Sequence, residues 1–407
     1  MKNSHITLIV IGVYSLIIFL PPIIYGYVYP NNGDDTAFHL AYFDKIRAGI
    51  ESIPNYFGQK MVGYPLVWIS DFTNIKIDTL YLWVNLISLW LVGISNYILV
   101  RKYVSWYAGL ISIPMVMFVV PSTLNLYDNG GLYDLITVGI VLPLVIYSFL
   151  NLLNTRKWYW LVSLLITSIL IIVIHTMAVY GSNGRQPIPT FSQFALIFSG
   201  NMVIWMLVGS LIIAIRYYKS IDKKAKWTVL LVALPVIVLA VLDFTGVLGW
   251  SIRISIDLAI VLALLTSCLL GTVCKIFQEK FVLIGVAVLV IGSSFPLATS
   301  YLGYNSAIKP IDKEVIEYVN SLEGKYYSCS PEVAPWVYSR FVNKKYKEGT
   351  LPYIDRSEPM TNRTSPDALD YWWEHGAMWY PREYRKLSQY QHEKEFIQDN
   401  IIIKVKY

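Results

Sequence analysis

The sequence predicts an α-helical polytopic membrane protein. About nine transmembrane helices, with the N-terminus inside, precede a small extracytoplasmic α/β domain at the C-terminal end. Three observations predict it. Only 15% of the 407 residues are charged and 55% are hydrophobic, whereas a soluble chain carries about a quarter charged residues. The charge is also segregated: long apolar runs fill residues 6–300, while residues 304–407 hold 15 basic and 15 acidic side chains. Finally, Lys and Arg concentrate in alternate connections between the apolar runs, as the positive-inside rule describes.

A helix needs about 20 mostly apolar residues to cross the hydrocarbon core. Nine segments qualify: 6–28, 77–100, 104–121, 134–153, 158–180, 192–215, 227–246, 251–274 and 281–301. The first follows Lys2 and runs from Ile6 to Val28. It is too long for a signal-peptide core, and no small-residue cleavage site follows it, so it reads as a retained span. Segment 61–72, MVGYPLVWISDF, is too short to span and reads as a re-entrant or interfacial piece.

With the N-terminus inside, the inner segments carry Lys2, Arg101, Lys102, Arg156, Lys157, Arg216, Lys219, Lys223, Lys224, Lys226, Lys275 and Lys280. Only Asp222 and Glu279 oppose them. On the outer side acids outnumber bases. The net charge of +6 is therefore a topology signal, and a nucleic-acid partner is excluded. The same direction puts the C-terminal part outside. The compositional step near Tyr304 divides the chain into a transmembrane domain, 1–303, and a soluble α/β domain, 304–407, large enough for a small core of its own. Cys268 and Cys274 lie in an apolar segment and Cys329 stands alone, so neither a disulfide framework nor a metal-ligand spacing is present.

The outer loops carry the chemistry. The first, residues 29–76, opens with the turn signal Asn31-Asn32-Gly33. Phe38, Leu40, Ala41, Phe43, Ile46 and Ile50 then suit a short amphipathic helix in the interface. Asp35 and His39 share one of its faces, and Asp34 stands beside Asp35 at its start. One Asp before a helix is ordinarily an N-cap. Two adjacent carboxylates exceed what a cap needs, and such a pair suits a general base or a divalent-cation site.

Other outer ends repeat the theme. The stretch NLYDNGGLYD holds Asp128 and Asp134; IHTMAVYGSNGR holds His175 and Arg185; LDFTGVLGWSIRISID holds Asp243, Arg253 and Asp257. Each has a plain structural reading: His175 as a core histidine bonded to a carbonyl, Arg253 as an ion pair with Asp257 or a snorkelling side chain. Ionisable groups at membrane depth are costly, however, and ordinarily face a cavity or a partner. Their clustering at outer ends points to a polar cavity that opens outward. In it an arginine suits a phosphate and a carboxylate suits a hydroxyl proton. Nucleotide sugars are absent outside, so a sugar transferase there needs a lipid-linked donor.

GDDTAFHLAYFDKI, directly after the first span, resembles the acidic motif of the GT-C glycosyltransferases, and Gly63-Tyr64-Pro65-Leu66 is similar to the Tyr-Pro stretch before their second span. The tail reads as helix, strand, helix over 312–341 and ends in an alternating strand, Ile401 to Tyr407, similar to the small α/β domain that closes many prokaryotic members. The resemblance implies a polyprenyl-phosphate-linked sugar donor, a lipid, glycan or protein acceptor, and inversion at the anomeric carbon. It assigns Asp35, assisted by Asp34, as base. His39, Asp128, Asp134, His175, Arg185 and Arg253 become acceptor or donor contacts, with Arg253 first for the phosphate. Some members use Mg or Mn, for which Asp35 and Asp128 are the candidate ligands; others are metal-independent. The composition, rich in Ile, Lys and Asn, suits the plasma membrane of a prokaryote with an AT-rich genome.

Tyr371-Trp372-Trp373-Glu374-His375-Gly376 resembles the WWDYG motif of oligosaccharyltransferases. Glu374 and His375 depart from it, and Ser330 to Trp336 occupy the place it should hold after the first strand. Tandem tryptophans near a membrane more often pack or anchor at the interface. Asn362-Arg363-Thr364 is itself a sequon. Two further readings stay open at this point: a ligase that moves lipid-linked glycan en bloc, and a non-catalytic transporter or binding protein for polyprenyl lipids. Against the last, no internal repeat is visible.

Overall fold

The computed structural model describes residues 3–24, 39–40, 43, 46–47, 57–119, 123–124, 127, 132–180, 202–245, 251–277 and 280–302, with five strands beyond them. The chain divides into two compact units, Met1–Tyr304 and Asn305–Tyr407.

The first unit is helical. Its main helices are α1 (Asn3–Ile24), α2 (Phe57–Thr73), α3 (Ile77–Tyr103), α4 (Trp106–Val119), α5 (Leu132–Thr155), α6 (Trp158–Tyr180), α7 (Met202–Arg216), α8 (Lys223–Thr245), α9 (Ser251–Phe277) and α10 (Lys280–Leu302). Among the described residues, five stretches are long and apolar enough to cross a membrane: Ser4–Ile24, Ile77–Tyr103, Leu132–Thr155, Lys223–Val241 and Asp257–Phe277. α4, α6, α7 and α10 supply shorter apolar stretches. These helices overlie the apolar segments of the sequence. α2 covers 61–72 and extends that segment to a full helix of 17 residues.

Burial sorts the helices. The apolar window of α9 is 78% buried and that of α8 only 17%, so α9 lies at the centre and α8 at the periphery. Exposed side chains on α1, α6, α8 and α10 are large and apolar, among them Leu16, Ile166, Leu234 and Ile291. A surface of this kind matches hydrocarbon, where helices need not turn a polar face outward.

Close packing without a hydrophobic driving force relies on small residues and buried polar bonds. Gly139 and Gly271 show both devices. A Cβ on Gly271 would fall 1.9 Å from Ala108 Cβ, and one on Gly139 would fall 2.5 Å from Val92 Cγ2. The Gly139 carbonyl accepts from Ser95 Oγ at 3.0 Å and Asn96 Nδ2 at 3.2 Å, both on α3. It belongs to a π-helical stretch, Leu135–Val141, within α5; α4 ends in a second, Met115–Val119. Wider turns of this kind free carbonyls from the helical ladder, and side chains of a neighbour can then bind them.

In the second unit, β1 (Tyr326–Tyr327) pairs in parallel with β2 (Lys345–Tyr346). β3 (Ala377–Pro381), β4 (Glu393–Gln398) and β5 (Ile401–Lys406) form an antiparallel sheet in the order β3-β5-β4. Ile403 stands opposite Trp379 and Phe396 in this register. Pro381 closes an edge strand, where a missing N–H is tolerated. The helices expected around 312–322 and 331–341 fall outside the described residues.

Candidate functional site

The described part of the first outer loop is held at three points. His39 and Leu40 are buried, as is Phe43. The His39 ring meets Tyr133 of α5 edge-on at 4.7 Å between centroids and lies 6.0 Å from Tyr81 of α3. Phe43 meets the other side of this wall, 5.5 Å from Tyr81. Ile46 and Phe43 press on α2 where Gly63 leaves space: a Cβ there would fall 2.7 Å from Ile46 Cδ1. Arg47 then pairs with Asp71 at 2.7 Å and donates to Ser70 Oγ at 2.9 Å. The apolar face read from the sequence as interfacial is thus covered by protein at Leu40 and Phe43.

The helix that takes the interfacial exposure is α2. Tyr64, Trp68 and Phe72, at successive spacings of four, are all exposed, and Trp68 stacks on Phe72 at 5.5 Å. Aromatic rings in such a stripe suit the headgroup region.

Asp134 is buried beside Tyr133, at the first turn of α5. The hydroxyl of Thr137, one turn on, donates to the Tyr133 carbonyl at 2.8 Å. Asp134 is thus the chain neighbour of the ring that His39 meets. Asp257 is buried in the first half of α9, and α9 packs on the π-helical stretch of α5. Arg253 lies one turn before Asp257 in the same helix. Tyr127 meets Tyr301 of α10 at 6.1 Å, and the Tyr301 hydroxyl donates to the Ile18 carbonyl of α1 at 3.1 Å.

Two sequence candidates, His39 and Asp134, are thus placed with their side chains. Asp34, Asp35, Asp128 and Arg185 lie outside the described residues, as do the side chains of His175, Arg253 and Asp243. In the sequence Asp35 stands four residues before the buried His39, and Asp128 directly follows the buried Tyr127. Among the described residues no group of three or more His, Cys, Asp or Glu side chains gathers around a common point.

Sequence reasoning missed Tyr81, Tyr133, Tyr127 and Tyr301. Each sits in or beside an apolar run at an outer end, and a hydroxyl on a buried ring needs a polar partner. That placement was the available signal. A wall of aromatic rings, a buried carboxylate and an imidazole can orient a polyhydroxylated ligand and shield a reacting centre from water.

No protein-family profile matches the chain, and no curated protein sequence matches it. Solved structures do. The chain is similar in fold to an oligosaccharyltransferase from Archaeoglobus fulgidus, in its apo form, with a TM-score of 0.55 and 11% identity over 94% of this chain and 70% of that one. It is likewise similar to ArnT from Cupriavidus metallidurans, in its apo state, with a TM-score of 0.51 and 13% identity over 100% of this chain and 98% of that one. Both neighbours are GT-C superfamily membrane glycosyltransferases.

Proposed function

We propose that the chain is a membrane glycosyltransferase that moves a sugar from a polyprenyl-phosphate-linked donor to an acceptor hydroxyl at the outer face. The observation that carries this reading is the fold likeness, which extends over the whole chain and nearly the whole of one neighbour. The cluster of His39, Tyr81 and Tyr133, with the buried Asp134 next in the chain to Tyr133, supports it. In this reading the protein has nine spans with the N-terminus inside, lies in the plasma membrane of a prokaryote, and carries its C-terminal unit outside.

The proposed chemistry uses few parts. The Asp35 carboxylate, helped by Asp34, takes the proton of the acceptor hydroxyl. The freed oxygen lone pair attacks the anomeric carbon from the face opposite the phosphate. The carbon–oxygen bond to phosphate breaks, its electron pair leaves with the polyprenyl phosphate, and the anomeric configuration inverts. Arg253 offsets the negative charge that grows on the leaving phosphate, with Arg185 next in reach of that role. His39, held against Tyr81 of α3 and Tyr133 of α5, is the described anchor nearest in sequence to Asp35. Asp134 and His175 are donor or acceptor contacts. Asp35 and Asp128 are the residues that would hold Mg or Mn.

The oligosaccharyltransferase neighbour supports a second reading, transfer of a lipid-linked glycan en bloc. Product size on a gel separates the two, since a single sugar and a whole glycan shift the acceptor differently. The main test is a transfer assay. Purified protein in nanodiscs receives a native membrane lipid extract, with or without EDTA, and mass spectrometry follows the donor. Loss of sugar from a polyprenyl phosphate that Asp35→Asn abolishes is the expected result. A donor pool unchanged by wild type, with a polyprenyl lipid co-purifying, would favour a lipid carrier or binding protein instead.

A further inference from the structure

A second site opens at the opposite, basic end of the helical unit. α7 and α8 both pack on α9, and the connection between them is short: Tyr217, a 3-10 turn over Tyr218–Ser220, Ile221 and Asp222. Between the last turn of α7 and the first turns of α8 lies a cavity of about 500 Å³. Leu269 and Thr272 of α9 are buried at its floor. Leu211, Ile215, Leu230 and Ala233 make its walls apolar. Its volume falls within the range of small-molecule pockets.

One end of this cavity is polar and cationic. Lys223, Lys226, Tyr218 and Trp227 line it. The Lys226 ammonium sits 4.0 Å from the centre of the Tyr218 ring, which fixes the position of the charge while leaving N–H donors for a ligand. The sole acid of the 216–226 stretch is turned elsewhere: Asp222 pairs with Lys275 and accepts from the Ala225 N–H at 2.8 Å. Among the described residues, neither Lys223 nor Lys226 has a carboxylate partner. The mouth therefore keeps its positive charge.

The depth of the mouth follows from its neighbours. Lys275 reaches both Asp222 and the Val104 carbonyl. The α7–α8 connection, the α3–α4 turn and the end of α9 thus stand at one level. Arg101, Lys102 and Lys275 belong to this level, which marks it as the inner membrane boundary. Tryptophan and tyrosine beside an apolar groove are the usual residues there.

We propose that this cavity binds an anionic phospholipid of the inner leaflet, with an acyl chain along the apolar walls and the phosphate on Lys226 and Lys223. Apolar grooves capped by paired lysines between transmembrane helices recognise such headgroups, and each lysine near the surface adds to the attraction. The site lies at the end of the molecule away from the proposed chemistry and does not depend on that reading.

Native mass spectrometry of the full chain tests it, with palmitoyl-oleoyl phosphatidylglycerol and the phosphatidylcholine of the same chains as competing probes. Retention of phosphatidylglycerol over phosphatidylcholine by wild type is expected, and Lys223→Ala/Lys226→Ala should reduce it on the order of tenfold or more. Lys219→Ala, a neighbour that does not line the cavity, should leave it unchanged. Ala233→Trp, which fills the apolar part, should lower retention of the lipid while the lysines stay in place. Equal retention of both lipids would overturn the proposal. So would a double variant that still binds phosphatidylglycerol as wild type does, or displacement of phosphatidylglycerol by equimolar polyprenyl phosphate.

Discussion

The two ends of the helical unit are built differently. At the basic end, α3 meets α4, α5 meets α6, α7 meets α8 and α9 meets α10 across connections of two to six residues. At the other end three joins are longer, through 25–56 and α2, through 120–131 and through 181–201, while α8 meets α9 across the five residues 246–250. The inner end spends its polar side chains on fastening. Lys102 donates to Asn151 at 2.6 Å, Trp106 to Thr7 at 2.9 Å and the Tyr97 hydroxyl to Thr7 at 3.4 Å, so that α1, α3, α4 and α5 are tied to one another. The outer end keeps buried ionisable and aromatic groups next to longer segments. That division suits a site at the end opposite the basic one, above a fastened floor.

The sharpest test of this contrast exchanges a charge at each end. Asp35→Asn should lower sugar transfer by about 10²–10⁴-fold, the range for loss of a general base, while the melting temperature stays near that of wild type. Asp222→Asn, at the inner end, should leave turnover within about twofold of wild type, a change typical of surface substitutions away from a site. A large loss of turnover at Asp222, or none at Asp35, would erase the functional asymmetry. The two readouts are transfer rate and thermal melting of the same preparations.

Next in size is the packing of the floor. Gly271→Val places new atoms where Ala108 already stands, including its backbone Cα at 2.8 Å. Backbone cannot yield as a side-chain tip can, so the variant should lose about 1–3 kcal/mol of stability or more. Melting in detergent measures it. Gly209→Val, a helical glycine with open space around it, is the matched control and should change stability little. A Gly271→Val protein as stable as its control would mean that α4 and α9 do not approach this closely.

A middling effect is expected at the wall that holds the outer loop. His39→Ala removes the ring between Tyr81 and Tyr133. Transfer should fall ten- to a hundredfold, the scale of a misplacement of about 1 Å in a reacting group. His39→Phe keeps the wedge without the nitrogens. Recovery of most activity in the Phe variant would assign His39 to positioning; no recovery would assign it a polar contact with a ligand.

The same contrast explains what the sequence made legible. Hydropathy marks helices wherever a run of about 20 apolar residues must bury its own backbone bonds, and α1, α3, α5, α8 and α9 followed from that alone. The adjacent carboxylates Asp34 and Asp35 draw the sequence reading to the first loop, but they lie outside the described residues. Other features rest on distant partners. The π-helical turn at Gly139 depends on Ser95 and Asn96, more than forty residues earlier. The wedge at His39 depends on Tyr81 and Tyr133, which nothing in the sequence singles out until the fold brings them together. The segment 61–72, read as too short to span, is the apolar core of a 17-residue helix, Phe57–Thr73, that continues through polar residues at both ends and is not among the five stretches able to cross a membrane.

The smallest predicted effect is the most specific one. Asp222 does two things at the start of α8. It caps the helix by accepting from the Ala225 N–H, and it pairs with Lys275 across the inner end. Partial burial would raise its pKa, yet the hydrogen bond from Lys275, the N–H groups of Ala225 and Lys224, and the Lys275 charge together outweigh burial and hold it below its ordinary value of 3.8. On acidification the unfolded chain thus binds this proton first. The stabilisation is complete above the unfolded value and disappears as pH falls through the lower folded one. Both side chains are substantially exposed, 45% for Lys275 and 40% for Asp222, so screening limits the pair to about 1 kcal/mol or less. Asp222→Ala removes cap and pair together and should cost about 1–2 kcal/mol near neutral pH. Asp222→Asn retains a capping oxygen and should cost less, with a difference from wild type that shrinks in high salt. If melting curves give equal losses for Asn and Ala at neutral pH, the ion pair carries the stabilisation. If Asn equals wild type there, the cap carries it and Lys275 serves only to turn Asp222 away from Lys223 and Lys226.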